Sequence, residues 1–185
     1  MLQILAAAAA AFIGTNLDDL LILMLLFAQA EDRAGRRRIA AGQFLGIGVL
    51  TVVSTLCALG LGRVSGGYLR LLGLIPILLG LRAFMTRNHS EEAEDASAVG
   101  VLSTAALTIA NGGDNLGVYI PLFAGYRAGQ LAVTAAVFAL LCGLWCLFAA
   151  RLAALPRVQA VIRRWKGLLV PAVLILLGVS ILLHR

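Results

Sequence analysis

Charge is what this sequence has least of. Only 13% of its 185 residues are Asp, Glu, Lys or Arg, 61% are hydrophobic, and the mean hydropathy is +0.97. Soluble domains carry about a quarter charged residues, and a chain of this size has too little interior to hide so much apolar surface from water. A water-facing globular fold is therefore excluded. Cysteine is also sparse. Cys57, Cys142 and Cys146 all fall within apolar runs, none in a loop where an oxidising compartment would place a structural disulfide, and no Cys-x-x-Cys or Cys/His zinc spacing occurs. There is no phosphate-binding P-loop, no His-Glu-x-x-His, no nucleophile elbow and no His in the middle of an apolar run. Those absences weigh against nucleotide-driven work and against a membrane-embedded enzyme or scaffold.

What is present is length without polarity. The apolar stretches are too long and too uniform for a barrel, whose segments of about ten residues alternate in polarity. They suit helices of roughly 20 residues that cross a bilayer. Six spans are expected, near 2–30, 39–62, 68–84, 99–126, 130–150 and 167–183. The first resembles a secretory signal only superficially: no Lys or Arg precedes Arg33, and the run continues past Asp18 and Asp19 to Ala30. It is read as a retained span.

The net charge of +6 does not point to nucleic acid, because of where it lies. One side of the membrane would collect Arg33, Arg36, Arg37, Arg38, Arg82, Arg87, Arg151, Arg157, Arg163, Arg164 and Lys166; the other holds only Arg63, Arg70, Arg127 and Arg185. Eleven against four orients the chain with the loops after spans 1, 3 and 5 in the cytoplasm. Both termini then lie outside a multi-pass protein of the inner (plasma) membrane.

The two halves repeat. At an offset of 96, Ile13 falls on Ile109, Asp18 on Asp114, Leu20 on Leu116, and Leu26-Phe27-Ala28 on Leu122-Phe123-Ala124. Spans 2 and 5 both open with Ala-Gly-Gln, at 41–43 and 128–130, and spans 3 and 6 share an Ile-Leu-Leu-Gly run at 77–80 and 175–178. An odd number of spans per half makes the second half enter the membrane from the opposite side, as in inverted-repeat secondary transporters. The expected architecture is an all-α membrane protein of six transmembrane helices in two inverted three-helix repeats. Residues 1–84 form the first repeat, 85–98 a cytoplasmic linker, and 99–185 the second.

Nine acidic residues occur, and six of them (Glu31, Asp32, Glu91, Glu92, Glu94 and Asp95) fall in loops. The other three, Asp18, Asp19 and Asp114, lie near the middle of spans 1 and 4, where a carboxylate costs about 2.5–3.5 kcal/mol to insert. Every basic residue lies at a span end or in a loop, so none is placed near them as a partner. Unpaired buried charge either neutralises or finds a cation. With Thr15, Asn16, Asn111, Asn115 and carbonyls freed by Gly112, Gly113 and Pro121, these oxygens suit a divalent ion. The plainer alternatives are protonated Asp residues that hydrogen-bond helices together, and Asn111 and Asn115 as packing groups. Asp18 and Asp19 point about 100° apart on a regular helix, so one site uses both only if the helix is irregular or another element closes around it.

Here a resemblance becomes specific. The runs AFIGTNLDDL at 11–20 and IANGGDNLGVYIPLF at 109–123 resemble the two signature stretches of the cadmium resistance transporter family. GQFLG at 42–46 and LGLIPI at 72–77 are similar to its second and third helices, and the similarity covers nearly the whole chain; a short middle loop is the main departure. The resemblance implies cadmium export within the lysine exporter superfamily, whose relatives move amino acids or other divalent cations. Hard oxygen ligands fit Mn²⁺ or Ca²⁺ as well as Cd²⁺, and sulfur would favour the softer ion. Cys142 and Cys146 share one helical face and, with Cys57, offer a thiol wall; as small hydrophobes they equally suit a membrane helix. His89 with Glu91, Glu92 and Glu94 is either a metal-gathering mouth or a solvated loop.

The expected function is secondary transport: export of a divalent cation, Cd²⁺ first, in exchange for protons carried on the three carboxylates. Another divalent ion or a small cationic amino acid is the alternative. The metal is cargo, and no cofactor is expected. The partners are that ion and the lipid bilayer, with no nucleic acid, and a homodimer stays open.

Overall fold

The computed structural model describes residues 1–60 and 100–160. The expected third and sixth spans and the 85–98 linker lie outside them, with His89 and its neighbouring glutamates. Among the described residues the regular structure is all helical. Six helices are bounded there: α1 (Leu2–Thr15), α2 (Leu17–Gln29), α3 (Arg33–Ala58), α4 (Val101–Asn111), α5 (Gly113–Ala124) and α6 (Ala128–Ala153).

The long second and fifth spans are present as α3 and α6, each of 26 residues and apolar enough to cross a membrane. α3 starts six residues before the expected position 39, taking Arg33 and Arg36–Arg38 into its first turns. The cause is a strong N-cap: the Asp32 carboxylate accepts the Gly35 N–H at 2.7 Å. Long basic side chains are well tolerated at such an end, where they reach the interface.

The first span is not one helix. α1 and α2 meet at Asn16 with a bend of 59°, and together they make a third membrane-length element. A break inside hydrocarbon leaves backbone groups that only protein can satisfy. Asn16 does this locally by donating its side-chain amide to the Phe12 carbonyl at 2.8 Å, and the Trp145 indole N–H of α6 reaches the Asn16 carbonyl at 2.7 Å. The expected fourth span is likewise divided, at Gly112, into α4 and α5. Asn16 and Gly112 are 96 residues apart (112 − 16), the offset at which the two sequences align.

Packing crosses between the halves. α3 lies against α4 and α5, while α6 lies against α1 and α2. The α3–α4 contact is close because two glycines face it. A methyl group on Gly42 would come within 2.5 Å of the Val101 carbonyl oxygen, and one on Gly46 within 2.6 Å of Thr108 Cβ. Small residues four apart permit this backbone approach in membranes, where helices gain from van der Waals contact rather than from escaping water. On α6 the buried stripe is Thr134, Phe138, Cys142, Cys146, Ala149 and Ala153, and the opposite face exposes Leu140, Leu144, Leu147 and Phe148. Phe138 joins α6 to both broken spans through Phe12 (ring centroids 5.6 Å apart) and Tyr119 (4.5 Å).

Candidate functional site

The two breaks face each other. Just after the first, Asp18 and Asp19 open α2; just before the second, Asn111 closes α4. The Asn111 side-chain amide donates to both carboxylates, at 2.8 Å to Asp18 Oδ2 and 2.7 Å to Asp19 Oδ1. The 100° divergence of the two Asp residues is thus resolved by an element of the other half closing over them. One NH₂ group spans two carboxylates, which is the position a cation would take. In this arrangement Asn111 presents N–H, so its oxygen reaches an ion only after the amide turns.

Asp19 is 3% exposed and held from a third side. Gln43 of α3 donates Nε2 to Asp19 Oδ2 at 3.1 Å, and the Thr108 hydroxyl of α4 donates to Gln43 Oε1 at 2.5 Å. Asp18 lies on the exposed side, its Oδ1 accepting the Asp19 backbone N–H at 3.0 Å. Asp114 is placed the same way in the other half, exposed in the first turn of α5, with its Oδ1 accepting the Asn115 backbone N–H at 2.8 Å. Asp19 feels the like charges of both Asp18 and Asp114.

The remaining expected residues form a second, fully buried layer. Thr15 Oγ1 and Tyr119 Oη are 3.1 Å apart, and the Asn16 amide donates to Tyr119 Oη at 3.1 Å and to Asn115 Oδ1 at 3.5 Å. Asn16 Oδ1 is buried with no hydrogen-bond partner among the described residues. Such a group in a low-dielectric interior is costly on the order of 1–3 kcal/mol. All seven expected oxygen donors therefore lie around the two breaks. Among the described residues no three His, Cys, Asp or Glu side chains gather tightly enough to hold a metal by themselves. An ion here would need the amides.

Cys142 and Cys146 sit one turn apart on the buried face of α6, which packs against α1 and α2. Cys57 is half-buried in the last turn of α3, apart from that pair's recorded partners. Cys146 also lines an apolar groove of about 580 Å³ between α3 and α6, with Arg36 and Arg37 among its lining residues and none of the three Asp residues.

Sequence reasoning missed Gln43, Thr108, Tyr119 and Trp145. Two signals were available. Gln43 is an amide in the Ala-Gly-Gln opening shared by spans 2 and 5, and Thr108 and Tyr119 stand three before Asn111 and four after Asn115, on their respective faces.

Apolar helices of membrane length, two of the expected spans broken in mid-course, and carboxylates and amides collected at the breaks define a polytopic membrane protein of the transporter type. A family model described as cadmium resistance transporter matches residues 12–185, and the chain belongs to that family. No curated protein and no solved structure matches it significantly.

Proposed function

We propose that this protein exports a divalent metal cation, Cd²⁺ first, through a site made by Asp18, Asp19 and Asn111 and completed by Asp114, Asn115, Asn16 and Thr15. The observation that carries this reading is the single Asn111 amide bridging two intramembrane carboxylates at 2.7 and 2.8 Å. Amide N–H groups answer the charge of these carboxylates, and a divalent ion replaces them with far stronger attraction to the same oxygens. The thiols of Cys142 and Cys146, on the buried face of the helix packed against α2, supply the softer surroundings that favour cadmium over harder ions.

The architecture belongs to the same proposal: six spans in two inverted repeats of residues 1–84 and 99–185, both termini external. Breaks 96 residues apart and the crossed packing of α3 and α6 support it. Ion binding displaces protons from the carboxylates on the cytoplasmic side, reprotonation outside resets the carrier, and rocking of one repeat against the other alternates access. The side-chain partners of Asn111 among the described residues are carboxylate oxygens, hard ligands that favour Mn²⁺, Ca²⁺ or a small cationic amino acid as the second reading.

Purified protein in proteoliposomes, supplied with Cd²⁺, Mn²⁺, Ca²⁺ or lysine, separates these readings. Cd²⁺ flux coupled to opposite proton movement is expected, and its loss in Asp19→Asn. Metal flux that persists at full rate in Asp18→Asn, Asp19→Asn and Asp114→Asn alike would remove the carboxylate site; lysine flux without metal flux would replace the cargo.

A further inference from the structure

We propose that Thr108 and Gln43 form a positioning pair that fixes which oxygen of Asp19 is offered to the transported ion; this rests on the carboxylate site above. A Gln amide beside a carboxylate is ambiguous, since rotation by half a turn exchanges donor for acceptor. Here the ambiguity is removed. The Thr108 hydroxyl donates to Gln43 Oε1, which turns Nε2 toward Asp19 Oδ2 at 3.1 Å. The Thr104 carbonyl one turn earlier in α4 also lies 3.1 Å from that hydroxyl, whose single proton serves the shorter contact to Gln43. Gln43 and Thr108 are 1% and 3% exposed, and Gly46 lies against the Thr108 side chain, so neither has room to rearrange.

The two amides on Asp19 are therefore unlike. Gln43 is clamped as a donor and keeps Oδ2 occupied. Asn111 holds Oδ1, sits at the end of α4 where the helix breaks, and shares its NH₂ with Asp18. An arriving ion displaces the Asn111 contact and meets Asp19 through Oδ1, with Oδ2 still held. One oxygen rather than two is offered, in a fixed direction, beside Asp18. Thr108 touches neither carboxylate in this chain of contacts, so it reaches the ion only through Gln43. Groups that orient ligands in this indirect way are worth 10–100-fold in metal affinity elsewhere.

The test measures Cd²⁺ transport in proteoliposomes by wild type, Thr108→Val, Thr108→Ala, Thr108→Ser and Asp19→Asn. Val keeps the volume of Thr and Ala relieves it, and both remove the hydroxyl; if Val fails to assemble, Ala carries the comparison. Both are expected to raise the half-saturating Cd²⁺ concentration by about tenfold or more while the maximal rate stays within about twofold, and Ser is expected to restore it. Unchanged half-saturation in Val and Ala overturns the pair's role, and so does equal impairment in Ser, which would assign the effect to the methyl group. Asp19→Asn distinguishes the two levels: if it is inactive while every Thr108 variant is normal, only the positioning falls. If Asp19→Asn transports normally, the carboxylate site itself falls.

Discussion

The helix pairs α1–α2 and α4–α5 break at positions 96 residues apart and fill the breaks differently. Around the first, Thr15 and Asn16 are buried, Leu17 and Asp18 exposed, and Asp19 buried; around the second, Asn111 and Gly112 are buried, Gly113 and Asp114 exposed, and Asn115 buried. The backbone plan is shared, residue for residue. The chemistry is not. Asp19 in the first half corresponds to Asn115 in the second, so one half brings two carboxylates and the other brings one with an amide. Asn16 stabilises its break with its own side chain, whereas Gly112 leaves its break open to Leu50 of α3. Two breaks of like backbone form thus present unlike side chains, two carboxylates at one and a carboxylate with an amide at the other.

The strongest test of that asymmetry is to erase it. Asp19→Asn gives the first half the second half's residue, and it is expected to abolish transport at normal membrane levels. Asn matches Asp in size and can still accept a hydrogen bond, so packing survives while the charge is lost. Cells carrying it and challenged with cadmium should be as sensitive as cells lacking the protein; full resistance would show that the buried carboxylate is dispensable. The reverse change, Asn115→Asp, puts a charge at a position 2% exposed, beside Asn16 and, among the described residues, without a basic partner. An uncompensated buried charge is destabilising by on the order of 3 kcal/mol. Thermal melting of the purified protein should show a clear fall, and an unchanged melting temperature would mean that the second break is more polar than its contacts imply.

Much of this was legible from residue types. Intramembrane Asp18, Asp19 and Asp114 declared themselves by their insertion cost, and Gly112-Gly113 marked the break in the fourth span. The break at Asn16 in the first span was not placed from the sequence, which said only that a site using both Asp18 and Asp19 needs an irregular helix or a closing element. What could not be read was direction. Nothing local says that Asn111 turns its N–H toward two carboxylates, or that Gln43 reaches Asp19 from α3, because both contacts join residues far apart in sequence. The start of α3 was missed for a related reason: four arginines suggest a loop, but the Asp32 cap holds them in a helix.

Glycines sharpen the comparison at smaller cost. At Gly112 an added methyl would lie 2.4 Å from Leu50 Cδ1, whereas Gly113 has open space around it. Gly112→Ala should destabilise by about 1–3 kcal/mol through overpacking. Gly113→Ala, in the first turn of α5, should be neutral or stabilising by up to about 1 kcal/mol, since Gly is the poorer helix former. Pairing Gly112→Ala with Leu50→Ala should recover part of the loss. Melting curves of the three variants decide the matter, and equal effects at the two glycines would show that the Leu50 contact does not limit the break. Cys142→Ser and Cys146→Ser come next. Both side chains lie in the α6 core stripe, so modest stability losses are expected, with cadmium transport reduced more than manganese transport if the thiols soften the site.

The smallest expected effect separates two glutamines that the sequence presents as equivalents. Gln43 and Gln130 each close an Ala-Gly-Gln triplet, yet only Gln43 reaches a carboxylate. Gln130 turns back on its own helix, where its Oε1 accepts the Arg127 backbone N–H at 2.8 Å in an exposed setting and so caps the start of α6. Water competes readily for such a contact, and its removal in Gln130→Ala should cost about 0.5 kcal/mol. Transport kinetics should be unchanged, because among the described residues the Gln130 side chain bonds to its own helix start and not to the breaks. A raised half-saturating metal concentration in Gln130→Ala would contradict this and point to a second amide acting on the ion in another state of the carrier. Near wild-type kinetics, set beside a strong effect at Thr108 or Gln43, would locate the functional asymmetry of the two halves at α3.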